Sequence, residues 1–229
     1  MVEYARSHFG HPKIAYDVLN AVEEDVSGFM GRYGQFDHVF SLFCLNWVKD
    51  QAKALKNIAL LMKPGGSCLL LFVASTSLMP RRQELALKTR WAKYAQICRD
   101  LVPPTHDLKG NDVLESYVKD LLMTAHLTPL ACEVDHVEFD FPDLESLTRS
   151  HLAWNPMTTS MAEEERPLYL EDMKEQARKL WAIKKAGGSP FDVKISWFSL
   201  LRRFCRMLDC PSLIYPKYIT LCFDFRCFR

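Results

Sequence analysis

Phe36-Asp37-His38-Val39-Phe40-Ser41-Leu42-Phe43-Cys44-Leu45-Asn46-Trp47-Val48, followed by a helical stretch and then Lys63-Pro64-Gly65-Gly66, decides the fold of this chain. Residues 39–45 are nearly continuous apolar sequence, the pattern of a strand covered on both faces. Asp50 is placed to cap the helix that follows, in which Ala54, Leu55, Ile58, Leu61 and Met62 form one apolar stripe at helical spacing. Pro64-Gly65-Gly66 stops it, and residues 67–73 read as a second apolar strand. Strand, turn, helix and strand make one βαβ unit of a parallel sheet. The turn carrying Asn46 and Trp47 then falls at the carboxyl end of the first strand, where open α/β sheets hold their ligands.

On the amino-terminal side, Val2, Ala5 and Phe9 recur at helical spacing with nothing ahead of them to cap a helix, so the chain is expected to open inside an element. His11-Pro12 ends that helix, and Ile14, Tyr16 and Val18 alternate as a strand over residues 13–19. Residues 23–34 read as a loop. Its Gly28-x-x-Gly31-x-x-Gly34 spacing precedes a strand instead of following one, behind acidic Glu23, Glu24 and Asp25, which is the wrong context for an anion cradle.

On the carboxyl-terminal side, a helix is expected through Leu85, Trp91, Tyr94 and Ala95, ending before Pro103-Pro104. Asp112 with Glu115 three residues on is a capping-box pattern opening a helix through Leu114, Val118 and Leu122. Leu130, Cys132 and Val134 alternate as a strand, and Val137, Phe139 and Phe141 continue it after a phase shift that suggests a bulge. Further helices are read over 144–154, capped by Asp143, and over 168–185, halted by Gly187-Gly188. Residues 189–229 change character, with clustered Arg, Phe and Cys and no clear period. The domain reading is therefore an α/β domain over 1–188 and an atypical tail over 189–229.

With 229 residues and a net charge of +1, the chain has no global field to attract nucleic acid. Its longest apolar run, residues 68–74, is too short to cross a bilayer, and Glu3 and Arg6 stand where a secretion signal would be apolar. A cytoplasmic protein without a membrane partner is the expectation. Cys44, Cys68, Cys98 and Cys132 fall in apolar patterns, as core thiols do. Cys205, Cys210, Cys222 and Cys227 form two C-x4-C pairs without the tight turn or nearby His of a zinc ribbon, and the seven histidines show no metal spacing. No metal is expected.

FDHVFSLFCLNWVKDQ followed by ALKNIALLMKPGGSCLLLF resembles the fourth strand, following helix and fifth strand of the class I S-adenosylmethionine-dependent methyltransferases. Together with WAKYAQ downstream, CLNWV is similar to the arthropod juvenile hormone acid methyltransferases. The resemblance, found over residues 1–188, implies a Rossmann-like sheet with a helical lid, S-adenosylmethionine as cofactor, and methyl transfer to the carboxylate of an isoprenoid or fatty acid. In the family a segment like residues 1–21 follows the first two strands, so the chain is expected to lack those strands and the Gly-rich loop. Their slot lies beside the strand at residues 39–45, whose edge would stand open.

By the same resemblance, Ser41, Leu42 and Phe43 line the adenosine side of the cofactor pocket. Trp47 offers its indole N–H to the acceptor carboxylate with Asn46 beside it. Asn20-Ala21 matches the loop where the family usually has an Asp facing the adenine amino group; Asn brings no charge there. Trp91, Tyr94, Trp154, Met157, Met161, Tyr169 and Trp181 suit the wall of an apolar acceptor site, or an ordinary core of the same composition. The opposing reading is a non-catalytic, truncated methyltransferase-like protein that binds an apolar ligand or a partner. A nucleotide-dependent oxidoreductase lacks support, because the dinucleotide fingerprint and a Tyr-x3-Lys pair are missing.

Overall fold

The computed structural model describes residues 2–23, 25–76, 78–87, 89–100, 102–138, 140–153, 157–188, 192–201 and 217–221. Its helices are α1 (Val2–His8), α2 (Ser27–Tyr33), α3 (Gln51–Leu61), α4 (Leu78–Leu87), α5 (Ala95–Asp100), α6 (Asn111–Thr124), α7 (Leu144–Ala153), α8 (Met157–Ser160) and α9 (Arg166–Lys185). The strands are β1 (Phe36–Leu42), β2 (Met62–Thr76), β3 (Ala131–Glu138), β4 (Asp192–Leu201) and β5 (Tyr218–Leu221). The fold is α/β. Two compact units divide it, one of residues 1–70, 117–131 and 198–229 and one of residues 71–116 and 132–197.

In the first unit the strand order is β5, β1, β2. Contacts ascend together along β1 and β2, as in a parallel pair: Gln35 donates to the Leu60 and Met62 carbonyls, Lys63 holds Asp37, and His38 Nδ1 lies 2.7 Å from Ser67 Oγ. Gly66 is required here, since a Cβ on it would stand 2.9 Å from the Asp37 carbonyl oxygen. The connecting helix α3 starts where Asp50 predicts and ends at Leu61, one residue short of the expected stripe. Asp50 caps it by accepting from the Lys53 N–H at 2.9 Å, and Ala54, Leu55, Ile58, Leu61 and Met62 are all buried. Burial of Leu55 and of Ile58 contributes about 1.5–3 kcal/mol each. Asp50→Ala should lower stability by about 0.5–2 kcal/mol in urea denaturation, because a helix N–H loses its acceptor; an unchanged midpoint would show the cap to be dispensable.

Several expected boundaries move, each for a tertiary reason. The first strand runs Phe36–Leu42, not 39–45, because Asp37 and His38 find polar partners in their neighbours while Phe43, at φ 53°, turns the chain out of extended structure. The next strand begins at Met62, ahead of the Pro-Gly-Gly stop. Residues 13–19 form no strand beyond a His11–Ile14 bridge. Ile14 and Val18 are 52% and 54% exposed, and the segment folds back on α1, with Arg6 donating to the Tyr16 carbonyl and the Tyr16 hydroxyl donating to the Phe9 carbonyl. The glycine-spaced loop contains α2, held by Asp25 accepting from Ser27 and by burial of Phe29 against Tyr33 and Phe36. Burial outweighs the cost of two helical glycines.

In the second unit, the remainder of β2 is followed across the sheet by β4 and then β3. The helix expected through Leu85 to Ala95 is broken into α4, a 3-10 segment and α5. Asp112 lies inside α6 instead of capping it; the Leu114 N–H bonds the Gly110 carbonyl. Leu130 is exposed and outside β3, which runs unbroken to Glu138, and Phe139 lies outside the described residues. Asp143 caps α7 through the Ser146 N–H at 2.6 Å. At the end of α9, Gly188 N–H bonds Ile183 O and Gly187 N–H bonds Lys184 O, with Gly187 at φ 82°, which is the Schellman arrangement.

Without a readable period the tail nevertheless supplies β4 and β5. β5 pairs in parallel with β1, His38 opposite Tyr218 through Ser41 opposite Leu221, so the edge of β1 expected to stand open is occupied. Cys205, Cys210, Cys222, Cys227 and Trp154 lie outside the described residues. Cys44, Cys68 and Cys98 are buried thiols outside any disulfide, and burial pushes the Cys68 thiol up to about 12.

Candidate functional site

At the carboxyl end of β1, alternation places Val39 and Ser41 on one buried face. Ser41 is 1% exposed, and its hydroxyl has no hydrogen-bond partner among the described residues. Leu42 follows half-buried, and Phe43 takes the left-handed conformation with its ring partly in solvent. The 3-10 turn Leu45–Trp47 comes next.

Asn46 is buried, and its neighbours orient its amide: the NH2 faces the Phe43 carbonyl at 3.1 Å, and the oxygen accepts the Trp47 indole N–H at 2.8 Å. The same side chain thus steadies the strained residue and aims the indole. Gln51, 2% exposed at the start of α3, donates to the Leu45 carbonyl at 2.9 Å and accepts from the Tyr117 hydroxyl at 3.3 Å. Burial, with the Asp50 charge adding to it, raises Tyr117 above its ordinary value, so the phenol is a donor throughout the neutral range.

One helical turn and a half along α3, buried Asn57 donates to the Ala21 carbonyl at 2.9 Å and the Glu23 carbonyl at 3.0 Å. Asn20 Oδ1 accepts from the Val22 N–H at 3.1 Å, so its oxygen serves the loop itself. Hence α3 holds both the Asn46–Trp47 turn and the loop of Asn20 and Ala21. Gln51, Asn57 and Tyr117 are absent from the sequence reading. A signal existed for two of them, because Gln51 and Asn57 are polar residues in phase with the apolar stripe of α3, and a buried polar group in that place needs partners.

Asp37 organises the other end of β1. Its carboxylate accepts from Lys63 Nζ at 2.9 Å and from the Lys217 backbone N–H at 2.7 Å, while its own N–H donates to the Lys217 carbonyl. Burial works to raise this carboxyl, but the Lys217 N–H and the Lys63 ammonium outweigh it and hold it below its ordinary value. A depressed carboxyl contributes stability above its unfolded pKa that is lost as pH falls through the folded one. The protection of the β5 amides, measured relative to intrinsic exchange, should therefore fall on acidification below about pH 4, the ordinary Asp value, and Asp37→Asn should abolish that fall.

Of the lid-like aromatics, Trp91, Tyr94, Tyr169 and Trp181 are among the described residues, belong to the second unit and pack into its clusters. Trp91, Met157, Met161, Tyr169 and Met173 are buried in one cluster. Trp91 Nε1 donates to Asp172 at 2.7 Å, and the Tyr94 hydroxyl donates to Glu165 at 2.5 Å. Trp181 packs with Leu147, Ala177 and Leu180 in a second cluster. These side chains form cores there, which is where residues of this composition most often lie. Among the described residues no cluster of three metal-ligating side chains occurs, and no helix is long and apolar enough to cross a membrane.

The family model described as a methyltransferase domain matches residues 1–70, which hold β1, the turn and α3. The chain is 27% identical over 217 residues to juvenile hormone acid O-methyltransferase of Bombyx mori, covering 93% of this chain and 74% of that protein. With the protein of the same name from Drosophila melanogaster it shares 31% identity over 141 residues, 58% of this chain and 46% of the other. The Bombyx alignment covers more than residues 1–188 can contain, so it reaches into the tail. Among solved structures, Haemonchus contortus phosphoethanolamine N-methyltransferase 2 bound to S-adenosyl-L-methionine matches at 14% identity and a TM-score of 0.36, over 73% of this chain and 34% of that one.

The fold is a Rossmann-like α/β one whose first 70 residues match the methyltransferase-domain model. The chain as a whole is similar to the juvenile hormone acid O-methyltransferases of Bombyx mori and Drosophila melanogaster.

Proposed function

We propose that this chain is an S-adenosylmethionine-dependent O-methyltransferase acting on the carboxylate of a small apolar acid, an isoprenoid or fatty acid. The observation that carries the reading is the Asn46–Trp47 turn: a buried amide and an indole N–H fixed at the carboxyl end of a parallel strand, braced by Gln51 and Tyr117. The resemblance of CLNWV to the juvenile hormone acid O-methyltransferases supports the same reading.

When bound, the cofactor supplies a methyl group on a positively charged sulfur. The acceptor carboxylate is already ionised at neutral pH and would accept the methyl group that the bound cofactor would supply. No base is needed. Trp47 would offer its N–H to one carboxylate oxygen, exchanging the Asn46 oxygen for it, and so hold the other in line. Before the acceptor arrives Asn46 keeps the indole oriented, and the half-buried turn limits access of water. The residues present fit the nucleoside part of the cofactor: Ser41 offers a buried hydroxyl with unused hydrogen-bonding capacity, and Leu42 and Phe43 offer apolar surface beside it. They fit its amino-acid end less well, since Gly28, Gly31 and Gly34 lie in α2 and its cap, ahead of β1. Calorimetry with S-adenosylhomocysteine tests cofactor binding, and transfer of labelled methyl to farnesoic and long-chain fatty acids tests the acceptor. Binding without transfer would favour a non-catalytic protein of the same fold, and absence of both would end the reading.

A further inference from the structure

We propose that the tail strand β5 is a wall of the ligand cleft, with Leu221 and Ser41, at the paired ends of β5 and β1, forming the edge that meets the nucleoside part of the ligand. The inference rests on the reading above and adds to it a segment that carries no recognisable motif.

The position of β5 is the first ground. It pairs with β1 in parallel over four residue pairs, so both strands point their carboxyl ends the same way. β1 passes the chain through its turn and α3 to β2, which lies on the side away from β5. That connection therefore does not cross the β1–β5 pair. Open α/β sheets bind ligands outside the carboxyl ends of their strands, where the connection leaving one strand turns away from its neighbour, as that of β1 turns away from β5.

Ser41 is the second ground. Its register partner is Leu221, the last residue of β5, so the orphaned, buried hydroxyl stands at the mouth of this pair. A buried hydroxyl without a partner is destabilising unless something hydrogen-bonds to it, and a ribose hydroxyl or a purine nitrogen could. The anchoring of β5 agrees. Asp37 secures the strand at its Lys217 end, far from the cleft, through two backbone hydrogen bonds and the Lys63 ammonium. Leu221 is left at the ligand end.

The ladder supplies its own test. The Lys217 carbonyl accepts from β1, so in a parallel ladder the backbone groups of Ile219 and Leu221 also face β1 and those of Thr220 face away. In the full chain, Ile219→Pro removes a ladder donor, whereas Thr220→Pro removes an outward one, which an edge strand tolerates. Amide exchange should show lost protection in β1 for Ile219→Pro and retained protection for Thr220→Pro. S-adenosylhomocysteine affinity should fall at least tenfold in Ile219→Pro. Ser41→Ala should weaken binding about fivefold while raising the melting temperature of the ligand-free protein, and Leu221→Ala should weaken it without loss of β1 protection.

Undiminished affinity in an Ile219→Pro protein whose β1 has lost protection would overturn the inference. If Ile219→Pro fails to fold, Leu221→Ala and Ser41→Ala decide: wild-type affinity in both overturns it, and weakened affinity in both supports it. A folded wild-type chain that takes up no S-adenosylhomocysteine overturns the functional reading itself, and this inference with it. Wild-type binding with no sensitivity at β5 overturns the inference alone.

Discussion

Trp91→Ala is expected to lower the stability of the second unit by about 3–5 kcal/mol, the range for emptying a large aromatic site in a core. Trp91 is 0% exposed, packs edge-on against Tyr169 with ring centroids 5.2 Å apart, and donates to Asp172. The substitution removes the ring, leaves a cavity among Met157, Met161 and Met173, and strips a carboxylate of its donor. Against a total stability of about 5–15 kcal/mol, such a loss brings the unit close to unfolding at ambient temperature. Trp91→Phe keeps most of the apolar volume and loses the N–H bond, so it should cost about 1–3 kcal/mol. Urea denaturation followed by amide exchange in α5 and α9 measures both. A Trp91→Ala protein of nearly wild-type stability would mean that this cluster yields easily, as the wall of an acceptor pocket would and a packed core would not.

Trp47→Phe is expected to reduce kcat/KM for carboxyl methylation ten- to a hundredfold, about 1.4–2.8 kcal/mol of transition-state stabilisation. The substitution preserves an aromatic ring in a half-buried position but deletes the N–H that Asn46 now accepts. Because the Asn46 NH2 keeps its bond to the Phe43 carbonyl and Gln51 keeps the Leu45 carbonyl, the turn should persist, with a stability loss of about 1 kcal/mol from the Asn46 oxygen left without its donor. A large kinetic effect beside a small thermal one is the mark of a group that touches the acceptor. Equal turnover would make Trp47 a packing residue, and equal losses of rate and stability would point to collapse of the turn.

The features legible in the chain are those in which local chemistry and burial agree. Asp50, the stripe from Ala54 to Met62 and the Gly187-Gly188 stop each act through neighbours within a turn or two of helix, so their spacing is enough to place α3 and the end of α9. The turn at Asn46 and Trp47 is legible for the same reason: an apolar strand followed by a capped helix leaves little room for anything but a tight connection. Periodicity misled where it had no partner to act on. Ile14, Tyr16 and Val18 alternate as a strand should, yet they form no described strand, and Ile14 and Val18 stay largely in solvent.

By itself the sequence determined the βαβ unit around β1 and α3, its cap and buried stripe, and the kinship of its first 70 residues with the methyltransferase domain. Only the tertiary structure decided that Gln51 and Tyr117 brace the turn, that Asn57 ties down the loop of Asn20 and Ala21, that the lid aromatics are closed into cores, and that residues from the tail pair with β1. The division has a physical cause. Helical caps and stripes are interactions between residues a few positions apart, whereas β5 meets β1 across 180 residues, Lys217 to Asp37, and a pairing at that separation depends on which sheet edge is vacant, which no local pattern records.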